Sequence, residues 1–293
     1  MFPLRSVLLA TLAAAAQSAG CAAVLPQAVS DGATIAAGQG PAYADLADLA
    51  LAAPVIADAT VVSAVRIKGA EAAAVAPGLT RFYVEAQLGT LLRGQGGLPP
   101  RVGYLVDVRP DADGRLPRLK KARVLVFARA VPATGEAAGQ LQLVAPDAQL
   151  AWTAETDARV RAVAAAAVAA DAPPVVIGVG NAFHVPGSLP GESETQVFLQ
   201  TQDRRPVSLS VLRRPGEQPR LAVALAEIVD EAAAAPARDT LLWYRLACAL
   251  PPALPPRSTA TLDETDAAAA RDDYRFVIET LGPCGRRRGS AKG

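Results

Sequence analysis

Two hydrophobic periodicities alternate along the chain. Residues 42–53, AYADLADLALAA, set Leu46, Leu49 and Ala50 at helical spacing before Pro54, which predicts a short helix. A run of strand patterns follows. Residues 55–69 are β-branched and alternate at Val61, Ser63, Val65 and Ile67. In 80–94, Phe82, Val84, Ala86 and Leu88 fall on one side, with Tyr83, Glu85 and Gln87 on the other. Strands are also predicted at 101–108, 123–131 and 140–146, with Gly and Pro marking the gaps. The period then changes. Residues 154–171 carry Val160, Val163, Ala167 and Val168 on one stripe, with Thr153 as cap and Glu155 and Asp157 at the positive end, before Pro173-Pro174.

The second half alternates again. Residues 175–185 and 194–201 predict strands; Val207, Leu209 and Val211 predict another, and 220–230 a further one that runs into an Ala-rich segment. DTLLWYRLACALP suits a helix through Leu242, Leu246 and Leu250, or a strand through Leu242, Tyr244, Leu246 and Cys248. The aromatic residues and the bounding Pro favour the strand. Thr261-x-x-Glu264 predicts a capping box before a short helix, and 274–284 a last strand. Five strands and a helix make one unit; the remainder makes a second.

The order of elements suggests a small closed or half-closed barrel of the OB type for the first unit. Its long first strand, its second strand FYVEAQLGTLLRG and the later ARVLVFAR resemble the tissue-inhibitor/netrin-type OB barrel, over residues 55–146. That family inhibits through an N-terminal Cys-x-Cys. Here Ala22 and Ala23 follow Cys21, so the resemblance implies a fold and not inhibition. The expected fold class is mainly β with some α: an OB-like barrel domain with a following helix (41–171), then a second β-rich α+β domain (175–284).

The amino terminus is different. Arg5 precedes an apolar run from Val7 to Ala16 and the small residues Ser18, Ala19 and Gly20, the pattern of an export signal over 1–20 and too short for a resident membrane helix. Two processing routes compete: an ordinary signal cleavage between Ala16 and Ala23, or lipidation. Ser18-Ala19-Gly20-Cys21 resembles the lipobox of bacterial lipoproteins at Ala, Gly and Cys, with Ser18 where an aliphatic residue is usual. The resemblance implies a diacylglyceryl group on Cys21, a flexible linker over 21–40, and a periplasmic protein anchored to the outer membrane. The membrane would then be a partner through the lipid, with a protein partner in the envelope also expected.

Export implies an oxidising compartment, so the three cysteines need partners. Cys248 and Cys284 follow ordered-looking apolar segments and are the expected bridge, worth about 3–4 kcal/mol in the chain-entropy picture. Cys21 is left over, and lipidation accounts for it.

Charge narrows the function. Lys and Arg (29) nearly balance Asp and Glu (28), which disfavours nucleic-acid binding through a broad basic surface. The basic run at 285–293 reads as a solvated tail. His184 is the one histidine, so any Ser-His-Asp or Cys-His site must use it. Ser188, Ser193, Glu192 and Glu194 lie near it in sequence, without a G-x-S-x-G elbow. No metal site and no cofactor is expected: a zinc site wants several His or Cys ligands, and GVGNAF lacks the third glycine and following helix of a dinucleotide fingerprint. Asp111, Asp113 and Gly114 read as a turn, and Glu227, Asp230 and Glu231 as a solvated face. The cations of 116–123 and of RPVSLSVLRRPG read as exposed strand ends and turns, with anionic-lipid contact as the alternative. The reading is an exported envelope protein with a binding or structural role and no catalytic residue assigned; the rival is a periplasmic hydrolase near His184.

Overall fold

The strand β1 (Val55–Arg66) organises the first half of the molecule in a computed structural model that describes residues 40–132, 139–225 and 234–288. It pairs antiparallel with β2 (Thr80–Arg93) along most of its length and with β4 (Arg123–Ala130) over Val55–Thr60. β3 (Arg101–Val108) adds to β2, while β5 (Leu141–Leu143) and β6 (Gln149–Ala151) both pair with β4. The order is β3-β2-β1-β4-β5, with β6 beside β4. Three register shifts in the β1–β2 ladder bend it.

The bend brings the two outer strands toward each other. Gly103 of β3 forms an isolated parallel bridge with Gln140, and its N–H donates to the Gly139 carbonyl at 3.1 Å. The Asp107 N–H donates to Pro146 at 2.7 Å. Gly103 has to be glycine here: a Cβ would sit 2.2 Å from the Tyr83 hydroxyl oxygen, which itself accepts a hydrogen bond from Gln140 Nε2. The sheet is curled, and it is not closed by a continuous ladder into a barrel.

Helix α1 (Tyr43–Ala52) buries Leu46, Leu49 and the small Ala44, Ala47 and Ala50. It packs on α2 (Ala154–Val168), whose Val160 and Val163 are buried and whose Thr153 caps the Thr156 N–H. Val168 is exposed, so the apolar stripe stops short of the helix end.

The second sheet is an antiparallel meander in the order β10-β9-β8-β7: β7 (Val176–Pro186), β8 (Ser193–Thr201), β9 (Val207–Arg213) and β10 (Arg220–Ala224). Alternate residues Val197, Leu199, Leu209 and Val211 are buried. Helix α4 (Glu264–Leu281) lies against β7, β8 and β9.

Two expected strands are helices. DTLLWYRLACALP forms α3 (Leu241–Ala247), capped by Thr240, because Leu241 and Leu246 both turn into the core and Trp243 donates its indole N–H to the Leu281 carbonyl at 2.7 Å. A strand would have left that last-turn carbonyl of α4 unpaired. The expected strand 274–284 is the second half of α4. Ala267, Ala270, Tyr274, Val277 and Leu281 form one buried helical stripe with no breaker before Gly282, and Asp263, not Thr261, caps the Asp266 N–H. β6 was not foreseen, and the strand expected over 220–230 is described only as β10.

Cys248 and Cys284 form a disulfide with an S–S distance of 2.11 Å. It joins the end of α3 to the segment after α4, not two strands. Beyond it, the first residues of the expected basic tail lie against α1: Arg286 clasps Asp48 at 2.5 and 2.9 Å, and the N–H groups of Arg287 and Arg288 both donate to Asp45 at 2.9 Å. Arg288 also reaches Asp147 at 2.6 Å. α1 is thus held from the C-terminal side as well, by these contacts and by the edge-to-face pair of Tyr43 with Trp243. The buried apolar side chains of both sheets belong to one contiguous core.

Candidate functional site

His184 lies opposite Thr195 in the β7–β8 ladder, so both side chains point to the same face, toward α4. His184 Nδ1 lies 2.7 Å from the Thr195 hydroxyl, and that hydroxyl donates to Asp273 Oδ2 on α4. A hydroxyl has one proton. Since it goes to the carboxylate, Nδ1 must carry the hydrogen on the imidazole side. The other oxygen, Asp273 Oδ1, accepts from Arg213 of β9, with Nε and a terminal nitrogen each at 2.6 Å. Thr195 is fully buried and Asp273 is 1% exposed. The carboxylate is therefore satisfied by two donors in a sealed position, which is what a buried charge requires.

The sole histidine thus has an acid and a hydroxyl within reach, but in the wrong order for a nucleophilic triad. The hydroxyl sits between imidazole and acid, where no substrate can meet it. Nε2 has no hydrogen-bond partner among the described residues, and the imidazole is only 9% exposed. Ser188 and Ser193 make no side-chain hydrogen bond to it. Asp273 escaped the sequence reading, and Arg213, read there as one of the exposed cations of a strand end, is instead held by that buried carboxylate. The available signal was a carboxylate within the apolar stripe between Ala270 and Tyr274, hidden once α4 was cut at 274.

The other predicted chemistry is ordinary. Asp111 Oδ1 accepts the N–H groups of Asp113 and Arg115, and Gly114 has φ +77°, a turn that needs glycine there. Among the described residues no three His, Cys, Asp or Glu side chains come together as metal ligands, and no helix is long and apolar enough to cross a membrane. Cys21, the linker before Gly40, and Glu227, Asp230 and Glu231 lie outside the described residues.

A second concentration of polar groups lies at one end of the first sheet. Ala64 and Phe82, with Pro117 and Leu119 of the β3–β4 connection, floor a groove of about 450 Å3 edged by Arg118, Lys120 and Lys121. A neighbouring groove of about 360 Å3 lies under the β1–β2 connection, with Arg66, Lys68 and Arg81 on it. The two adjoin, because Arg66 pairs with Phe82 across the ladder. Arg81 is engaged bidentately by Asp107 at 2.7 and 2.8 Å, which raises its already high pKa. Compared with models of known protein families and with curated protein sequences, the chain matches none.

Proposed function

We propose that this chain is an exported bacterial envelope protein with a non-catalytic binding role, carried by a signal over 1–20, held by a lipid on Cys21 and tethered through residues 21–40 at the periplasmic side of the outer membrane. The Cys248–Cys284 bridge carries the reading. Structural disulfides persist in oxidising compartments, and the bridge leaves Cys21 as the odd thiol. A tether ending near Gly40 would enter directly at α1, which the body of the protein holds on several sides. We read the first sheet as a half-closed relative of the OB barrel. Its strand order and the isolated parallel Gly103–Gln140 bridge, which brings the outer strands together, support that reading. A binding role is favoured over hydrolysis because Thr195 and Asp273 are enclosed and mutually satisfied.

Intact mass spectrometry of the membrane-fraction protein, with and without reductant, tests the reading. The expected mass corresponds to a chain beginning at Cys21 with an acyl addition, rising by about two daltons on reduction as the bridge takes up two hydrogens. An unmodified Cys21, or a chain beginning beyond it, overturns the anchor.

The second reading is a periplasmic hydrolase, and one observation favours it: an imidazole whose Nδ1 is oriented through Thr195 by a buried acid, with Nε2 left without a partner among the described residues. Covalent labelling of the wild-type chain by a fluorophosphonate, lost in His184→Ala, would establish it in place of the binding role.

A further inference from the structure

We propose that the open end of the first sheet is a contact site for a membrane surface bearing anionic phospholipid headgroups. The inference rests on the envelope reading for its setting and goes beyond the anchor, because it concerns a face of the folded body.

The argument starts from unpaired charge. Arg66, Lys68, Arg118, Lys120 and Lys121 are exposed and crowd the two adjoining grooves. None of the five makes an ion pair or a side-chain hydrogen bond among the described residues, although most other arginines of the second half and of the sheet interior do. No Asp or Glu lines either groove. In a chain whose formal net charge is only +1, so one-sided a cluster is a local feature and not a reflection of composition. Five cations held together without counter-charges repel one another, and a phosphate-bearing surface relieves that repulsion.

The floor distinguishes the ligand. Ala64, Phe82, Pro117 and Leu119 make an apolar base beneath a cationic rim, the arrangement that suits a phosphate above and a glycerol or acyl boundary below. A single-stranded nucleic acid asks instead for exposed aromatic platforms along a basic track. Here the one aromatic ring of the grooves, Phe82, is half-buried in the floor. The position fits too: the mouth of a curled sheet is a common ligand seat, formed by connections rather than by the strands themselves. Arg81 does not take part, since Asp107 already holds it.

The test is flotation of the full chain carrying Cys21→Ser, so that no acyl group contributes, with vesicles of phosphatidylcholine with and without phosphatidylglycerol. The expected result is salt-sensitive binding only when phosphatidylglycerol is present. Each basic residue at an anionic surface is worth about fivefold in partitioning, so Arg66→Ala/Lys120→Ala/Lys121→Ala should lower it by about a hundredfold. Arg214→Ala/Arg220→Ala, exposed cations at the second sheet, should leave it unchanged, and an unchanged Tm shows that each variant is folded. Equal binding to both vesicles, binding to neither, an undiminished triple variant, or capture of single-stranded DNA without vesicle binding overturns the proposal. Acylation of Cys21 is read separately by mass, so failure of the anchor and failure of this face are distinguishable.

Discussion

Tyr104, Tyr244 and Tyr274 show how single residues couple this fold to pH. Each hydroxyl donates to a defined acceptor: Gln149 Oε1 at 2.7 Å, Asp48 Oδ1 at 2.5 Å and the Pro251 carbonyl at 2.9 Å. Burial raises the pKa of all three, and for Tyr244, pushed up to about 12 from 10.0, the Asp48 carboxylate adds to it. The folded state therefore retains phenol protons that the unfolded chain releases at about pH 10. Their contribution to stability is intact below about pH 10 and is lost as pH rises beyond it, for Tyr244 through about 12. Phenolate absorbance of the native protein should lag behind that of the denatured chain and rise together with loss of circular dichroism. Superimposable curves would show these phenols to be open to solvent. None of this was legible in the sequence, where a tyrosine in a strand pattern gives no hint of its acceptor.

At the scale of elements, α4 is positioned by an apolar stripe and one charge. Asp273 links α4 to β8 through Thr195 and to β9 through Arg213. Replacing it with Ala leaves Arg213 and Thr195 without an acceptor, and loss of one member of a buried pair costs about 3 kcal/mol. Asp273→Ala should lower Tm by roughly 10 °C, while Asp272→Ala, whose exposed side chain meets only Arg275, should not move it. Since Ala is the better helix former at both positions, an unchanged Tm for Asp273→Ala, or an equal fall for both variants, would overturn the role given to the buried carboxylate. The same helix explains where periodicity misled. YRFVIETL read alone is β-branched and aromatic enough for a strand. Extended back to Ala267, its buried positions fall every three or four residues. In α3 the competing patterns were balanced, and the Trp243 indole, which needs an acceptor when buried, found it on α4.

For the whole molecule, the decisive feature is that both sheets contribute to one core, with α1 in contact with α2, α3 and the residues after Cys284. The order of elements had suggested two units, 41–171 and 175–284. Ala44, Ala47 and Ala50 of α1 are buried, and the helix contacts α2 and α3. Chemical denaturation followed by tryptophan fluorescence and by far-ultraviolet circular dichroism should give coincident single transitions. Two separated transitions would show the sheets to be independent folding units.

What the sequence determined by itself was local: the strand patterns of the first sheet and most of the second, the cap of α2, the turn at Gly114, and a disulfide between the two cysteines that follow ordered segments. These rest on periods of two and of about four residues and on chemistry within a few positions, which a linear chain displays directly. The tertiary structure decided what depends on partners far apart. It chose helix for α3 and α4, placed a threonine between His184 and Asp273, held Arg286 on Asp48, and set cations of the β1–β2 and β3–β4 connections on two grooves at one end of the first sheet. Those outcomes follow from burial, which a polar group tolerates only when its partner arrives from elsewhere in the chain.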